Sequence, residues 1–209
     1  MGVIRRGILG GFSKKVGNIV GSSWKGLAVI KSLPLSVANP RTAGQVIQRN
    51  KFRGITLLGS SLLASIVKPL WDRFASNMSG FNAFVSANLD AFNNNGLFVP
   101  AALVTSKGRM LAPQSLTCSG TGNTRSIIVG HPANDRFALP TDRLAVVIID
   151  SANARVRSSS VTTTTRSTNT SCQVTATLDS AAAFDGTAQY YVSYVRADGT
   201  EVSNSKHGT

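Results

Sequence analysis

The first third of the chain carries basic side chains in a pattern typical of a polyanion-binding segment. Between Met1 and Trp71 there are eleven Lys or Arg residues and no Asp or Glu, and the first acid is Asp72. These bases account for +11 of the formal net charge of +13. Lysine and arginine neutralise phosphates and release counterions, which gives salt-sensitive binding that does not depend on base sequence. The expected chemistry is therefore contact with a polyanion, most simply nucleic acid.

Ten of these bases are the candidate nucleic-acid-binding residues. They are Arg5, Arg6, Lys14, Lys15, Lys25, Lys31, Arg41, Arg49, Lys51 and Arg53. Three aromatic residues, Phe12, Trp24 and Phe52, lie among them and have the chemistry to stack on unpaired bases. Two alternatives remain open: the bases face an acidic neighbouring subunit, or they are simply solvated.

Groups suited to catalysis or metal binding are sparse. A serine nucleophile needs a histidine within reach of the serine and of an acid, and the chain has only His131 and His207. Two His, two Cys and scattered acids do not cluster at metal-ligand spacing. The segment from Gly7 to Lys14 differs from a phosphate-binding loop because Phe12 stands in place of the second glycine. We therefore expect no enzyme activity, no metal and no cofactor.

The termini and the cysteines bear on where the protein resides. No apolar run reaches the length of a membrane span, so none is expected. The apolar run after Arg6 extends only from Gly7 to Phe12, so an export signal is not expected either. Cys118 and Cys172 either pair across a sandwich, as in immunoglobulin-type domains, or stay reduced. Synthesis in a cytoplasm favours the reduced form.

Residues 1–38 have the composition of a basic, glycine-rich arm. Seven glycines by Gly26 argue against a long helix. The stretches 14–20 and 24–32 alternate well enough for two strands of a β-ribbon, with Gly21-Ser22-Ser23 as the turn. The arm has too little apolar sequence to fold by itself, so we expect another subunit to hold it.

Residues 39–96 are predicted to form an antiparallel helical hairpin. Asn39 is a favoured N-cap and Pro40 a favoured first helical residue. Pro69 interrupts the helical periodicity and can begin a second helix that ends at Asn93. The apolar stripe of that helix contains Trp71, Phe74, Met78, Phe81, Val85 and Phe92.

In residues 97–209 the apolar and polar residues alternate with a period of two. Turn residues separate short candidate strands at intervals of roughly ten residues, which is typical of an antiparallel β-sandwich of immunoglobulin or fibronectin type III style. The candidate strands are 101–106, 116–118, 126–129, 144–150, 156–161, 171–178, 189–196 and 200–204. Asp198-Gly199 is a hairpin signal between the last two. The predicted fold class is α+β: arm or ribbon, helical hairpin, then sandwich.

Four segments resemble an uncharacterised domain-of-unknown-function family of Bacteroidota and their phages. They are GILGGFSKKVGNIVGSSWKG at 7–26, SLP at 32–34, the NPRT…Q…R..F run at 39–52, and YVSYVRADGTEVSNS at 191–205. The resemblance covers both ends and the first helix, and it is weak between about 100 and 140. It implies a bacterial or phage origin and a structural role, and it transfers no catalytic residue.

The leading expectation is a non-enzymatic phage virion protein, a minor capsid or capsid-associated component made in the host bacterial cytoplasm. Its arm contacts the genome, through the phosphate backbone, or neighbouring capsid subunits in a homo- or hetero-oligomer. The alternative is an adhesion module of a surface or appendage, in which the sandwich recognises a protein or glycan and the arm mediates assembly. The choice between DNA and RNA stays open.

Overall fold

The computed structural model divides the chain into two compact units, Met1–Arg41 and Thr42–Thr209. Within the described residues, no single helix is long and apolar enough to cross a membrane. In the same described part of the chain, Ala43–Ser61 and Leu63–Trp71 together have the length and apolar composition of a span, but the pair is bent by 73°. The structure describes residues 2–4, 12–24, 26–36, 38–120, 123–132, 137–166, 171–178 and 187–209.

The unit Met1–Arg41 contains a four-stranded antiparallel sheet in the order β1-β4-β3-β2. Its strands are β1 (Gly2–Ile4), β2 (Lys14–Val16), β3 (Ile19–Trp24) and β4 (Leu27–Ser32). A ribbon was predicted here, but its turn was placed wrongly. The chain instead reverses at Gly17 and at Gly26, whose positive φ values of 58° and 80° favour glycine.

Gly21 lies inside β3 rather than in a turn. A Cβ at this position would clash with the Phe12 carbonyl oxygen and would lie 2.6 Å from the Phe12 ring. The glycine that suggested a turn therefore permits the close approach of the Phe12 backbone and side chain.

The unit Thr42–Thr209 begins with helix α1 (Ala43–Ser61). Its N-cap is Thr42, whose Oγ1 accepts a hydrogen bond from the Gln45 N–H at 3.4 Å, so the start predicted at Asn39-Pro40 was three residues early. A π-helical turn, Leu63–Val67, follows and leads into the short helix α2 (Lys68–Trp71).

The second helix of the predicted hairpin is broken after Trp71. Helix α3 spans only Gly80–Ala87, and one-turn 3₁₀ helices follow at Leu89–Ala91 and Pro100–Ala102. Asp72 Oδ1 accepts the Gly80 N–H at 2.9 Å, which folds the chain back across the break. Phe74 and Met78, predicted on the apolar stripe, are therefore exposed, whereas Trp71 is buried.

Among the described residues after residue 114, seven strands form two antiparallel sheets. One has the order β5-β6-β9 and the other β11-β10-β7-β8. The first contains β5 (Ser115–Ser119), β6 (Thr124–Gly130) and β9 (Ser171–Thr177); the second contains β7 (Arg143–Asp150), β8 (Val156–Thr165), β10 (Ala188–Val195) and β11 (Lys206–Gly208). This architecture is compatible with the predicted β-sandwich.

Two of the eight predicted strands are absent from these sheets. Residues 100–102 form a 3₁₀ turn in place of the strand expected at 101–106. Residues 200–204 make only isolated bridges, of Val202 with Val195 and of Ser203 with Met110, and the final strand lies further on at Lys206–Gly208. The Asp198-Gly199 signal does mark a tight turn, in which the Gly199 N–H donates to the Arg196 carbonyl at 2.8 Å.

Strand β7 is buried on both faces, and this decides the architecture. Ala145, Val147 and Ile149 pack with the helices. The alternate residues Leu144, Val146 and Ile148 pack with β6 and β9 of the other sheet. The unit therefore has three layers, with helices, a four-stranded sheet and a three-stranded sheet. The boundary expected near residue 96 has no counterpart in the packing, because helices and sheet share one core.

Buried polar side chains of the helical layer form hydrogen bonds with the adjacent segments of the chain. The buried Asn88 amide donates to the Phe84 and Val104 carbonyls, at 2.9 Å each, and accepts the Val104 N–H at 2.6 Å. Trp71 Nε1 donates to the Thr105 carbonyl at 2.8 Å. Each buried polar group named here has a partner, which avoids the cost of an unpaired donor or acceptor.

Two glycines of α1 provide a matched test of this packing. A Cβ at Gly54 would lie 2.5 Å from the buried Phe92 ring, whereas a Cβ at Gly44 would meet nothing within 4 Å. We predict that Gly54→Ala lowers the free energy of unfolding by about 1–3 kcal/mol through overpacking. Gly44→Ala should be neutral or stabilise by up to about 1 kcal/mol. Urea unfolding followed by circular dichroism measures both, and equal effects would contradict the packing described here.

Candidate polyanion-binding surfaces

The ten predicted bases fall into three groups. Arg5, Arg6 and Lys25 lie outside the described residues. Lys14, Lys15, Lys31 and Arg41 belong to the unit Met1–Arg41, and all four are exposed. Arg49, Lys51 and Arg53 lie on α1 in the other unit.

The strand register of the N-terminal sheet places two lysines in one row. Lys15 pairs with Val20, and Val20 pairs with Lys31, so all three share one face. Adjacent strands are about 4.8 Å apart, which puts the Lys15 and Lys31 backbones about 10 Å from each other. Lys14 pairs with Gly21 and lies on the opposite face. We call Lys15, Val20 and Lys31 the lysine row.

The sheet around the lysine row has little core of its own. Among its described side chains Val29 is 4% exposed, whereas Val16 and Leu27 are 63% and 49% exposed. Small sheets without a packed face are marginally stable in water. Its surface therefore combines lysines with exposed aliphatic side chains.

Helix α1 brings together two of its three bases. Arg49 and Arg53 are four residues apart and therefore share a face. They line a shallow hollow with Phe52, whose side chain is 54% exposed. Lys51 points elsewhere, since its Nζ lies 3.0 Å from Asp90 Oδ1 and its side chain is only 18% exposed. We call Arg49, Phe52 and Arg53 the α1 surface.

The aromatic residues have different roles. Phe12 packs over Gly21 in the sheet, while Phe52 is exposed between two arginines. The side chain of Trp24 lies outside the described part of the structure. Of the two that are described, only Phe52 offers a free ring face for stacking.

Both histidines take part in packing. His131 is buried, and its Nδ1 lies 2.6 Å from the hydroxyl of Tyr194, whose ring is covered by the Arg166 guanidinium at 4.6 Å. Burial and then the Arg166 charge lower the pKa of His131. His207 stacks on Tyr191, and burial lowers its pKa also. Among the described residues no three His, Cys, Asp or Glu side chains group as metal ligands.

Cys118 and Cys172 are free thiols. They belong to the same sheet, on β5 and β9, and β6 runs between them: Cys118 pairs with Ile127, and Cys172 with Val129. Two strand spacings exceed the Cα separation that a disulfide bridges. The cross-sandwich pair considered from the sequence is therefore not formed.

The lowered pKa values of His131 and His207 predict a pH dependence of stability. The native state keeps His131 neutral where the unfolded chain begins to take up a proton, near the ordinary pKa of 6.5. The free energy of unfolding should therefore decrease as the pH falls from about 7.5 to 5.5, by at most about 1.4 kcal/mol per pH unit for each group. His131→Gln should flatten this dependence, and adding His207→Gln should flatten it further. Denaturant titrations across this pH range measure the change, and an unaltered pH profile in the double variant would contradict the account.

Comparison with known proteins identifies a family. No curated protein and no solved structure matches the chain. A family model matches residues 11–208, which include the lysine row, the helices and both sheets of the sandwich. Since this match spans nearly the whole chain, the protein belongs to DUF6266, a family of unknown function.

Proposed function

We propose that this protein is a non-enzymatic structural component of a phage virion, a minor capsid or capsid-associated protein, whose N-terminal unit contacts the genome. The observation that carries the proposal is the lysine row on a sheet with no acidic residue. Residues 1–41 contain seven bases and no Asp or Glu. The resemblance of the N-terminal motif to proteins of Bacteroidota and their phages favours this setting.

The lysine row is better suited to binding a polyanion than to remaining a solvated surface. Lys15 and Lys31 repel each other across Val20, and no carboxylate in residues 1–41 offsets that repulsion. A phosphate backbone removes it and releases counterions. Lysines also tolerate many phosphate positions, because an ammonium is a point charge on a flexible stem. Binding of this kind depends on salt and not on base sequence.

The α1 surface offers a second point of contact of different character. Two arginines flank an exposed phenylalanine ring, which is the combination that holds unpaired bases by stacking and charge. This feature favours single-stranded nucleic acid over a duplex. Lys51 is left out of the surface because it is paired with Asp90.

We further propose that the sandwich is of the fibronectin type III kind. The support is its strand order: the first, second and fifth strands form one sheet, and the other four strands form the second. The chain crosses between the sheets after β6, after β8 and after β9, as in a Greek-key sandwich.

A second candidate function is a surface or appendage adhesion module. The observation that favours it is the outer face of the sheet β5-β6-β9. Ser115, Thr117, Gln173 and Thr175 are exposed there, with Ile128 43% exposed among them. Such a polar face with one apolar side chain suits recognition of a protein or glycan. This function requires no affinity for nucleic acid.

Binding of single-stranded DNA against salt concentration tests the lysine row. We predict that the variant Lys15→Gln/Lys31→Gln binds more weakly and that the slope of log affinity against log salt falls in magnitude by about 1.4, which corresponds to two phosphate contacts. The control is Lys107→Gln/Lys206→Gln, which removes two exposed lysines of the other unit. Equal slopes for the two double variants would refute a role for the row, and absence of binding at low salt would favour the adhesion function.

Mass spectrometry of purified phage particles tests the virion assignment. The protein should be present at a fixed ratio to the major capsid protein after particles are purified by density gradient. Its absence from particles, with the protein found on the cell surface instead, would overturn the proposal.

A further inference from the structure

A cleft in the unit Thr42–Thr209 has the dimensions of a small-ligand site. It lies between the second half of α1, the segment from Phe92 to Gly96 and the turn joining β7 to β8, and its volume is about 500 Å³. Ligand pockets commonly enclose about 300–1,000 Å³. The cleft shares Arg53 with the α1 surface, and its other lining residues belong to neither polyanion surface.

The polar lining of the cleft consists of arginine, amide and hydroxyl groups. Arg53 and Arg155 contribute guanidinium groups, and Asn50 and Asn95 contribute amides. No Asp or Glu is among the described residues that line it. The exposed guanidinium of Arg53, with no carboxylate among the described lining residues of this concave, partly apolar site, favours an anionic ligand. Sequence reasoning missed Arg155, because it lies about a hundred residues from α1 in the chain.

The backbone of the cleft walls is already engaged, which argues against a phosphate. Asn93 Oδ1 accepts the N–H groups of Asn95 and Leu97, at 3.0 and 2.9 Å. The Arg155 N–H donates to Asn153 Oδ1 at 3.0 Å. Phosphate sites usually use backbone N–H groups and helix N-termini, and α1 presents residues 50–61 here rather than its N-terminus. A guanidinium binds a carboxylate or a phosphate through two parallel N–H···O bonds. Because the backbone N–H groups named here, which a phosphate site would use, are engaged, a carboxylate is the better match for Arg53.

The remaining lining fits a sugar ring. Asparagine amides donate and accept hydrogen bonds, as hydroxyl groups require. Apolar atoms of Leu57, Phe92 and Val156 form part of the wall and suit the C–H face of a pyranose. We propose that the cleft binds a hexuronic acid residue of an acidic glycan, with Arg53 on the carboxylate and Asn50 and Asn95 on ring hydroxyls. This binding shares Arg53 with the α1 surface and does not involve the lysine row.

A ligand-observed NMR titration of the full chain with trigalacturonic acid tests the proposal. Binding is expected for trigalacturonic acid and not for maltotriose, a neutral trisaccharide. Arg53→Gln should weaken binding at least tenfold, and Asn95→Ala by about two- to fivefold, since both side chains lie at the surface and line the cleft. The control is Arg109→Gln, which removes an exposed arginine outside the cleft and should leave the affinity unchanged.

Three results would overturn the proposal. The first is no binding of trigalacturonic acid by the wild-type chain at millimolar concentration. The second is equal weakening by Arg53→Gln and Arg109→Gln, which would mean general charge attraction. The third is preferential binding of adenosine monophosphate, which would assign the cleft to phosphate. A salt-dependent affinity of the wild-type chain for DNA, which is attributed mainly to the lysine row, would separate each of these outcomes from failure of the nucleic-acid proposal.

Discussion

The pairing of β7 with β10 is the interaction on which the larger unit depends. The two strands pair without interruption from Arg143 with Val195 to Asp150 with Ala188. Their side chains alternate between the helical layer and the other sheet, so each strand contributes to both cores. Tyr191 illustrates this on the helical side, where its ring is buried and its hydroxyl donates to the Pro100 carbonyl at 2.8 Å. Removing either strand would open both cores at once.

Local sequence patterns predicted the elements better than their arrangement. All strands of these two sheets except β11 were recognised, because alternation and turn residues are local. The apolar run of β7, LAVVIID, is typical of a strand buried on both faces, but the sequence analysis did not identify the helices as the second covering layer. The broken second helix also escaped prediction. The hydrogen bond from the Gly80 N–H to Asp72 and the capping by Ser79 override the helical periodicity there.

The sequence predicted which basic residues form the candidate surfaces, but it did not predict how these residues are arranged in space. Charge segregation pointed to the N-terminal third, yet the pairing of Lys15 with Lys31 across Val20 depends on a register set by turns at Gly17 and Gly26. Lys51 does not belong to the α1 surface because it forms an ion pair with Asp90, which lies 39 residues away in the chain. Arg53 and Arg155 line the same cleft only because of the tertiary fold, and no sequence spacing predicts this.

The double burial of the β7–β10 pair has an evolutionary consequence. A β-sandwich whose outer sheet faces are polar can fold without a further covering layer, because an antiparallel sheet can have one face in water. Here a gene fragment that began near residue 97 would encode a sheet with Ala145, Val147 and Ile149 bare to water, and such a patch invites aggregation. Recombination within this family is therefore expected to exchange the first forty or so residues, while helices and sandwich are inherited together as one piece.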